Sequence, residues 1–168
     1  MVERLPDGTT LIVRPIRPDD KPLLVRGLSE LSELSVHRRF LSAKPRFSSA
    51  ELRYLTEVDG HDHVAFVVQR PGECYRLLGV ARWVRLEEDS DTAEAAIVVA
   101  DDWQGRGVGS VLAKALAEEA RRQGVSRFTA TILSDNRPAQ RLMAKLSEHL
   151  EGRLGRNGTS ELFIELAA

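Results

Sequence analysis

The sequence predicts an α/β (α+β) domain built on a mixed sheet of about seven strands flanked by helices. Three features of the chain carry that expectation. Short β-rich runs interchange with amphipathic helical stretches along all 168 residues. A nearly unbroken apolar strand, AEAAIVVA (93–100), leads into a glycine loop, WQGRGVGS (103–110), and then into a long helical pattern. Near the C-terminus Asn157-Gly158 joins GRLGR to TSELFIEL, a strong hairpin signal.

Taken in order, TLIVRPIRP (9–18) is a β-rich run closed by two prolines. Asp19 or Asp20 then caps a helix with Pro22 in its first turn, where a missing N–H costs nothing. Leu24, Leu28 and Leu31 stand at i, i+4, i+7 on its apolar face. SVHRRF (35–40) reads as a second short helix. Ser48-Ser49-Ala50-Glu51 is a capping box that opens a helix over 49–58. HVAFVVQR (63–70) and LLGVARWVRL (77–86) are strands joined through Pro-Gly at 71–72. After the glycine loop, Val108, Val111, Leu112, Ala115 and Leu116 share one helical face, Glu118, Glu119, Arg121 and Arg122 face water, and Gly124 ends the helix. RFTATILSD (127–135) is the next strand. NRPAQRLMAKLSEHL (136–150) is predicted as one helix with Ala139, Leu142, Met143, Leu146 and Leu150 on one face. No repeat or linker interrupts the chain, so residues 1–168 are expected to form a single domain.

Composition narrows the function classes. An apolar share of 42% and a charged share of 29% are those of a globular protein, and the net charge of −1 argues against nucleic acid as the main partner. No apolar run reaches the roughly 18 residues a membrane span needs, and MVERLPDGTT has no signal-peptide core. One cysteine, Cys74, supports neither an intramolecular disulfide nor a thiolate zinc site. His61-x-His63 has no third ligand near it in sequence. The expectation is a cytoplasmic protein without a metal.

A strand that runs through a glycine loop into a helix is a backbone device for holding phosphate: first-turn N–H groups and the macrodipole attract the anion, and glycine lets the backbone approach. A nucleoside-triphosphate loop needs G-x-x-x-x-G-K-[ST], and no lysine follows here. A dinucleotide fingerprint fits Gly105 and Gly107 but meets Ser110 at its third glycine. The remaining pattern, Gln104-x-x-Gly107-x-Gly109, resembles the pyrophosphate motif [Q/R]-x-x-G-x-[G/A] of the GCN5-related N-acetyltransferases, the GNAT family. Asn136-x-x-Ala139 is similar to that family's N-x-x-A segment, and the likeness covers roughly residues 9–150.

The resemblance implies a GNAT fold with acetyl-CoA as co-substrate and no metal. In the family the strand before the loop splays from its neighbour. By position its free backbone falls on Ile97, Val98 and Val99, which would hold the pantetheine arm. The pyrophosphate falls on the loop formed by Gln104, Gly105, Arg106, Gly107, Val108, Gly109 and Ser110. Asn136 corresponds to a CoA-contacting asparagine and also suits a helix N-cap.

Acetyl transfer to an amine requires deprotonation, since a lysine ammonium with a pKa of about 10.4 is no nucleophile. Glu94 is the only acid in its strand and shares a face with Ala96 and Val98, where partial desolvation would fit it for base catalysis. A solvent-facing residue at the strand end is the other reading of the same position. The Val99 N–H is the nominee for oxyanion stabilisation. Where many family members carry a general-acid tyrosine, this chain has Met143, which cannot donate a proton and suits a core position. Either the thiolate leaves unaided or protonated by water, or the domain is a non-catalytic acyl-CoA-binding module.

The stretches LSELSVHRRFLSAKPRF and AEAAIVVADDWQGRGVGS look like the acetyltransferase domain of bacterial Pat-type protein lysine acetyltransferases, which share the strand glutamate and also lack the tyrosine. The resemblance makes protein lysine the expected acceptor, with a small-molecule amine as the rival. A strongly acidic cleft around Glu94 would mark a cationic small molecule, and a long open groove a polypeptide. Pat enzymes join this domain to a regulatory one, for which 168 residues hold no room. His37, Arg38 and Arg39 suit either an acceptor cleft or a solvated helix face. The C-terminal hairpin either pairs with a second copy, giving a homodimer, or completes the acceptor site.

Overall fold

The computed structural model describes residues 1–44, 46–86 and 91–167. Among them one mixed sheet of eight strands runs in the order β1-β2-β3-β4-β5-β6-β8-β7, with β1 Val2–Arg4, β2 Thr10–Pro15, β3 His63–Gln69, β4 Gly79–Arg85, β5 Thr92–Val99, β6 Arg127–Leu133, β7 Ser147–Leu154 and β8 Thr159–Leu166. The helices are α1 Lys21–Glu30, α2 Glu33–Phe40, α3 Ser49–Thr56, α4 Val108–Arg122 and α5 Arg137–Ala144. All neighbouring strands pair antiparallel except β5 and β6, which are parallel because α4 carries the chain across between them.

Period-two alternation divides the core between the two faces. Leu11, Val13, Val68, Trp83 and Ala95 point to the face covered by Leu112 and Leu116 of α4. Ala65, Val67 and Val80 point to the other, where Leu24 of α1 and Leu52 and Leu55 of α3 meet them. The expected I′ hairpin is present, with Asn157 and Gly158 both at positive φ (54° and 74°).

Three elements depart from expectation. β1 adds an eighth strand, reached through the Pro6-Asp7-Gly8 turn, in which Gly8 takes φ 86°. Asp20 stands just before α1 but does not cap it. Its buried carboxylate accepts both Arg14 guanidinium N–H groups at 2.7 and 2.8 Å and the Arg17 N–H at 2.8 Å, which pins β2 to α1. Burial opposes that charge, yet the bonds and charges of Arg14 and Arg17 together outweigh it and hold the carboxyl below the usual range. The predicted helix over 136–150 stops at Ala144, and Ser147 onward is strand β7, where Leu150 pairs with Ile164.

The closest approach inside the sheet is at Gly79, where a Cβ would lie 2.8 Å from Leu112 Cδ1 and 3.0 Å from the Val98 carbonyl oxygen. Gly79→Ala is expected to lower the unfolding free energy by about 1–3 kcal/mol, the ordinary cost of overpacking. Urea titration checks this as a lower midpoint at unchanged slope.

Candidate active site

β5 and β6 share a ladder of only three residue pairs, Thr92↔Arg127, Ala93↔Phe128 and Glu94↔Thr129. Beyond it β5 stays with β4 as far as Val99, and β6 stays with β8 as far as Leu133, so the two halves of the sheet splay. The Ala100 N–H donates to the Leu78 carbonyl at 2.9 Å. Strand alternation therefore turns the backbone groups of Val98 toward β4 and those of Ile97 and Val99 toward the opening. A cleft of about 1010 Å³ lies there, bordered by Ala95 through Val99 on one side and by Ala130, Ile132 and Asn136 on the other.

The glycine loop closes one end of this cleft. Gly105 and Gly107 sit at φ 72° and 101°, a region that side chains other than glycine rarely adopt. α4 begins at Val108 with no side-chain cap, which leaves the amides of Gly107, Val108, Gly109 and Ser110 without helical acceptors. At Gly109 a Cβ would lie 3.4 Å from Leu142 Cδ2 and 3.7 Å from Val99 Cγ2, so the first turn of α4 is seated against β5 and α5. The loop side chains do different work. The Gln104 amide donates to the Val99 carbonyl and to Ser35 Oγ, each at 3.0 Å, so it acts as a brace. Val108 is fully buried and offers the cleft only its N–H. Arg106 lies over the Trp103 ring at 4.0 Å and pairs with Asp7 at 2.8 Å, holding that carboxyl well below its usual range. Asn136 caps α5 by accepting the Ala139 N–H at 3.3 Å while also lining the cleft.

Among the described residues the cleft carries Arg38, Arg39, Arg106, Arg141 and Lys145 against one acid, Asp7, which is paired with Arg106. Arg141 and Lys145 escaped the sequence reading. Their i, i+4 spacing on the helix opened by Asn136 was the available signal.

Glu94 lies on the face of Ala96 and Val98 as expected, but its side chain is exposed rather than desolvated, because the cleft wall begins only at Ala95. Its field reaches Arg39 of α2. Behind Arg39, on β4, the buried Arg82 donates to the Leu55 carbonyl from both terminal nitrogens at 3.2 Å and to His63 Nε2 at 2.9 Å. Burial and the neighbouring Arg39 push Arg82 down to about 9, which leaves it charged at neutral pH. His63 is thereby a structural acceptor, while His61 bonds Gln123 at 2.9 Å, so the two imidazoles do not converge. Met143 is 4% exposed and belongs to the core.

A family model described as "Acetyltransferase (GNAT) family" matches residues 30–147. The chain belongs to the GNAT acetyltransferase family. Within it, the chain is 38% identical over 139 residues to acetyltransferase Pat of Mycolicibacterium smegmatis and spans 41% of that protein's length. It is 33% identical over 147 residues to acetyltransferase PA5475 of Pseudomonas aeruginosa, covering 78% of it. The GNAT domain of S. lividans PAT superposes with a TM-score of 0.89 at 29% identity, over 99% of this chain and 96% of that one.

Burial, and after it the Arg82 charge, pushes the His63 pKa down to about 4 from an ordinary 6.5. The unfolded chain therefore takes up this proton first as pH falls, and the stability tied to neutral His63 is lost between pH of about 6.5 and about 4. His63→Gln is expected to flatten the dependence of unfolding free energy on pH in that window relative to wild type, as read by urea titration at each pH.

Proposed function

We propose that this chain transfers an acetyl group, or another short acyl group, from acyl-CoA to a primary amine, with protein lysine as acceptor. The observation that carries the reading is the splay of β5 from β6 directly onto the uncapped N-terminus of α4. Together they offer a cleft with open backbone along one wall and unsatisfied amides at one end. This fits a long ligand with an anionic head and an amide-bearing arm.

The residues divide the work. Amides of Gly107 through Ser110 suit the pyrophosphate, with Arg106, Arg141 and Lys145 around it supplying charge. The backbone of Ile97 and the N–H of Val99 face the opening and suit pairing with the arm, as a strand added to β5 would, while the Val99 carbonyl is held by Gln104. When bound, acetyl-CoA supplies an acetyl thioester whose thiol, with a pKa of about 8.5, leaves without a strong acid. The Val99 N–H is aligned to donate to an acyl oxygen, since it faces the opening and has no strand partner there. Glu94, exposed beside the cleft, suits proton removal from the acceptor ammonium through water and delivery of that proton to solvent. Met143 supplies no proton, so side-chain acid catalysis from this position of α5 is absent from the scheme.

A cationic small molecule such as a polyamine would call for an acidic cleft, and the lining is basic. This argues against a polycation, and the likeness to Pat is what favours protein lysine.

Acetyl-CoA at 100 times its Kd is expected to raise the unfolding free energy by about 2.7 kcal/mol. Gly107→Asp should abolish the effect by placing a strained, negative side chain in the cradle, and ATP should not reproduce it. Glu94→Gln should keep the stabilisation and lose about 10²–10⁴-fold in turnover, the range of general base catalysis. Binding without release of free CoA thiol under any acceptor would make the chain a binding module instead.

A further inference from the structure

The arginines of this protein are mostly engaged: Arg14 with Asp20, Arg76 with Glu30 and Asp102, Arg106 with Asp7. Two on α2 are not. Arg38 and Arg39 both line the cleft. The Nε of Arg38 is buried with no hydrogen-bond partner, one of two such side-chain atoms among the described residues. Arg39 is half-buried, lies over the Phe40 ring at 4.9 Å and makes no hydrogen bond; what reaches it is the field of Glu94 and of Tyr54. Holding two guanidinium groups partly out of water without acceptors is costly unless something else completes them.

Their position says what that would be. The head-group end of the cleft has its own cations in Arg106, Arg141 and Lys145. Arg39 belongs to the other end, on the sheet face that carries Glu94 and Arg82, and with Ala96 and Val98 it forms the wall between the cleft and a second, apolar hollow of about 70 Å³ under α1 and α3. Glu94 beside Arg39 is complementary to an ammonium beside a carboxylate, and the hollow suits the apolar stem that joins them.

We propose that Arg38 and Arg39 form an anion subsite for a carboxylate that the acceptor carries next to its reacting amine. The inference rests on the acyltransferase reading above and specifies its substrate class. A lysine flanked by acidic residues and a free amino acid both present this chemistry. Arginine is the suited residue because its planar fork takes a carboxylate through two parallel bonds, and the unpaired Nε of Arg38 is one of the donors left open for it.

The test measures CoA release with two matched acceptor pairs: a lysine peptide flanked by glutamates against its glutamine counterpart, and free lysine against lysinamide. Wild type is expected to favour the carboxylate member of at least one pair by about tenfold in kcat/KM, the scale of a charge-assisted hydrogen bond. Preference in the peptide pair assigns the flanking side chain, and preference in the free pair assigns the amino-acid carboxylate. Arg39→Gln should collapse the ratio, Arg39→Lys should restore part of it, and the acetyl-CoA Kd should stay within about twofold. Equal use of both members by wild type overturns the subsite, as does a ratio that survives in both Arg38→Gln and Arg39→Gln. An acetyl-CoA Kd weakened about tenfold in Arg39→Gln also overturns it, by assigning the pair to the cofactor. Failure to turn over any acceptor despite acetyl-CoA binding removes the acyltransferase reading itself, and this inference with it.

Discussion

A strand in the middle of a sheet must find partners for its backbone on both sides, and β5 has them on one side only for most of its length. The rest of the structure is arranged around that vacancy. β6 keeps a complete seven-residue pairing with β8 on its other edge while it departs from β5. α4 packs its apolar face on β3, β4 and β5, while Gly109 lets its first turn touch both Val99 and Leu142. The N–H and C=O groups left over on β5 therefore open into a cleft instead of onto a packed core. There a ligand replaces water at little cost in reorganisation.

Charge follows the same geometry. One end of the cleft groups Arg141 and Lys145 with the uncapped N-terminus of α4, where backbone dipoles add to their positive field. The same positive lining works against an acceptor ammonium. Glu94 is the only acid of β5, and its exposure spares it the desolvation penalty that a buried carboxylate would bear.

The parts of this design that depend on local backbone chemistry were legible in the sequence. Gly105, Gly107 and Gly109 encode a left-handed turn and a close approach, and both features are local. The apolar run 93–100 fitted a central strand because period and composition agreed. What was hidden depends on tertiary partners. Leu146 and Leu150 continue the helical spacing of α5 and equally suit a strand, and pairing with β8 decides between them. β1 is three residues long, too short for any periodicity, and owes its existence to β2. The neighbours of Glu94 suit a desolvated carboxylate and its place at the strand end a solvent-facing one, and which holds depends on helices elsewhere in the chain, which leave it exposed. The basic pair of α5 and the engaged Gln104 side chain became visible only once the elements on which they act were in place.

Gln104 also joins the two sides of the site. Its single amide nitrogen bonds the Val99 carbonyl on β5 and Ser35 Oγ on α2, and Asp101, three residues earlier, takes the Ser32 N–H at 2.9 Å and the hydroxyls of Ser32 and Ser35 at 2.7 and 2.8 Å. Asp101 is held below the usual carboxylate range because these bonds outweigh its burial, so it stays ionised and the clamp persists well into the acidic range. The segment that turns into the anion-binding loop is therefore the segment that fixes the start of α2. Arg38 and Arg39 lie one turn further along that helix, on the same face as Ser35. Two short links, Gln104 to Ser35 and Asp101 to Ser32, thus tie the segment before the glycine loop to α2. The two sides of the cleft are joined through residues that follow one another along the chain, Val99, Asp101 and Gln104, ahead of the glycine loop.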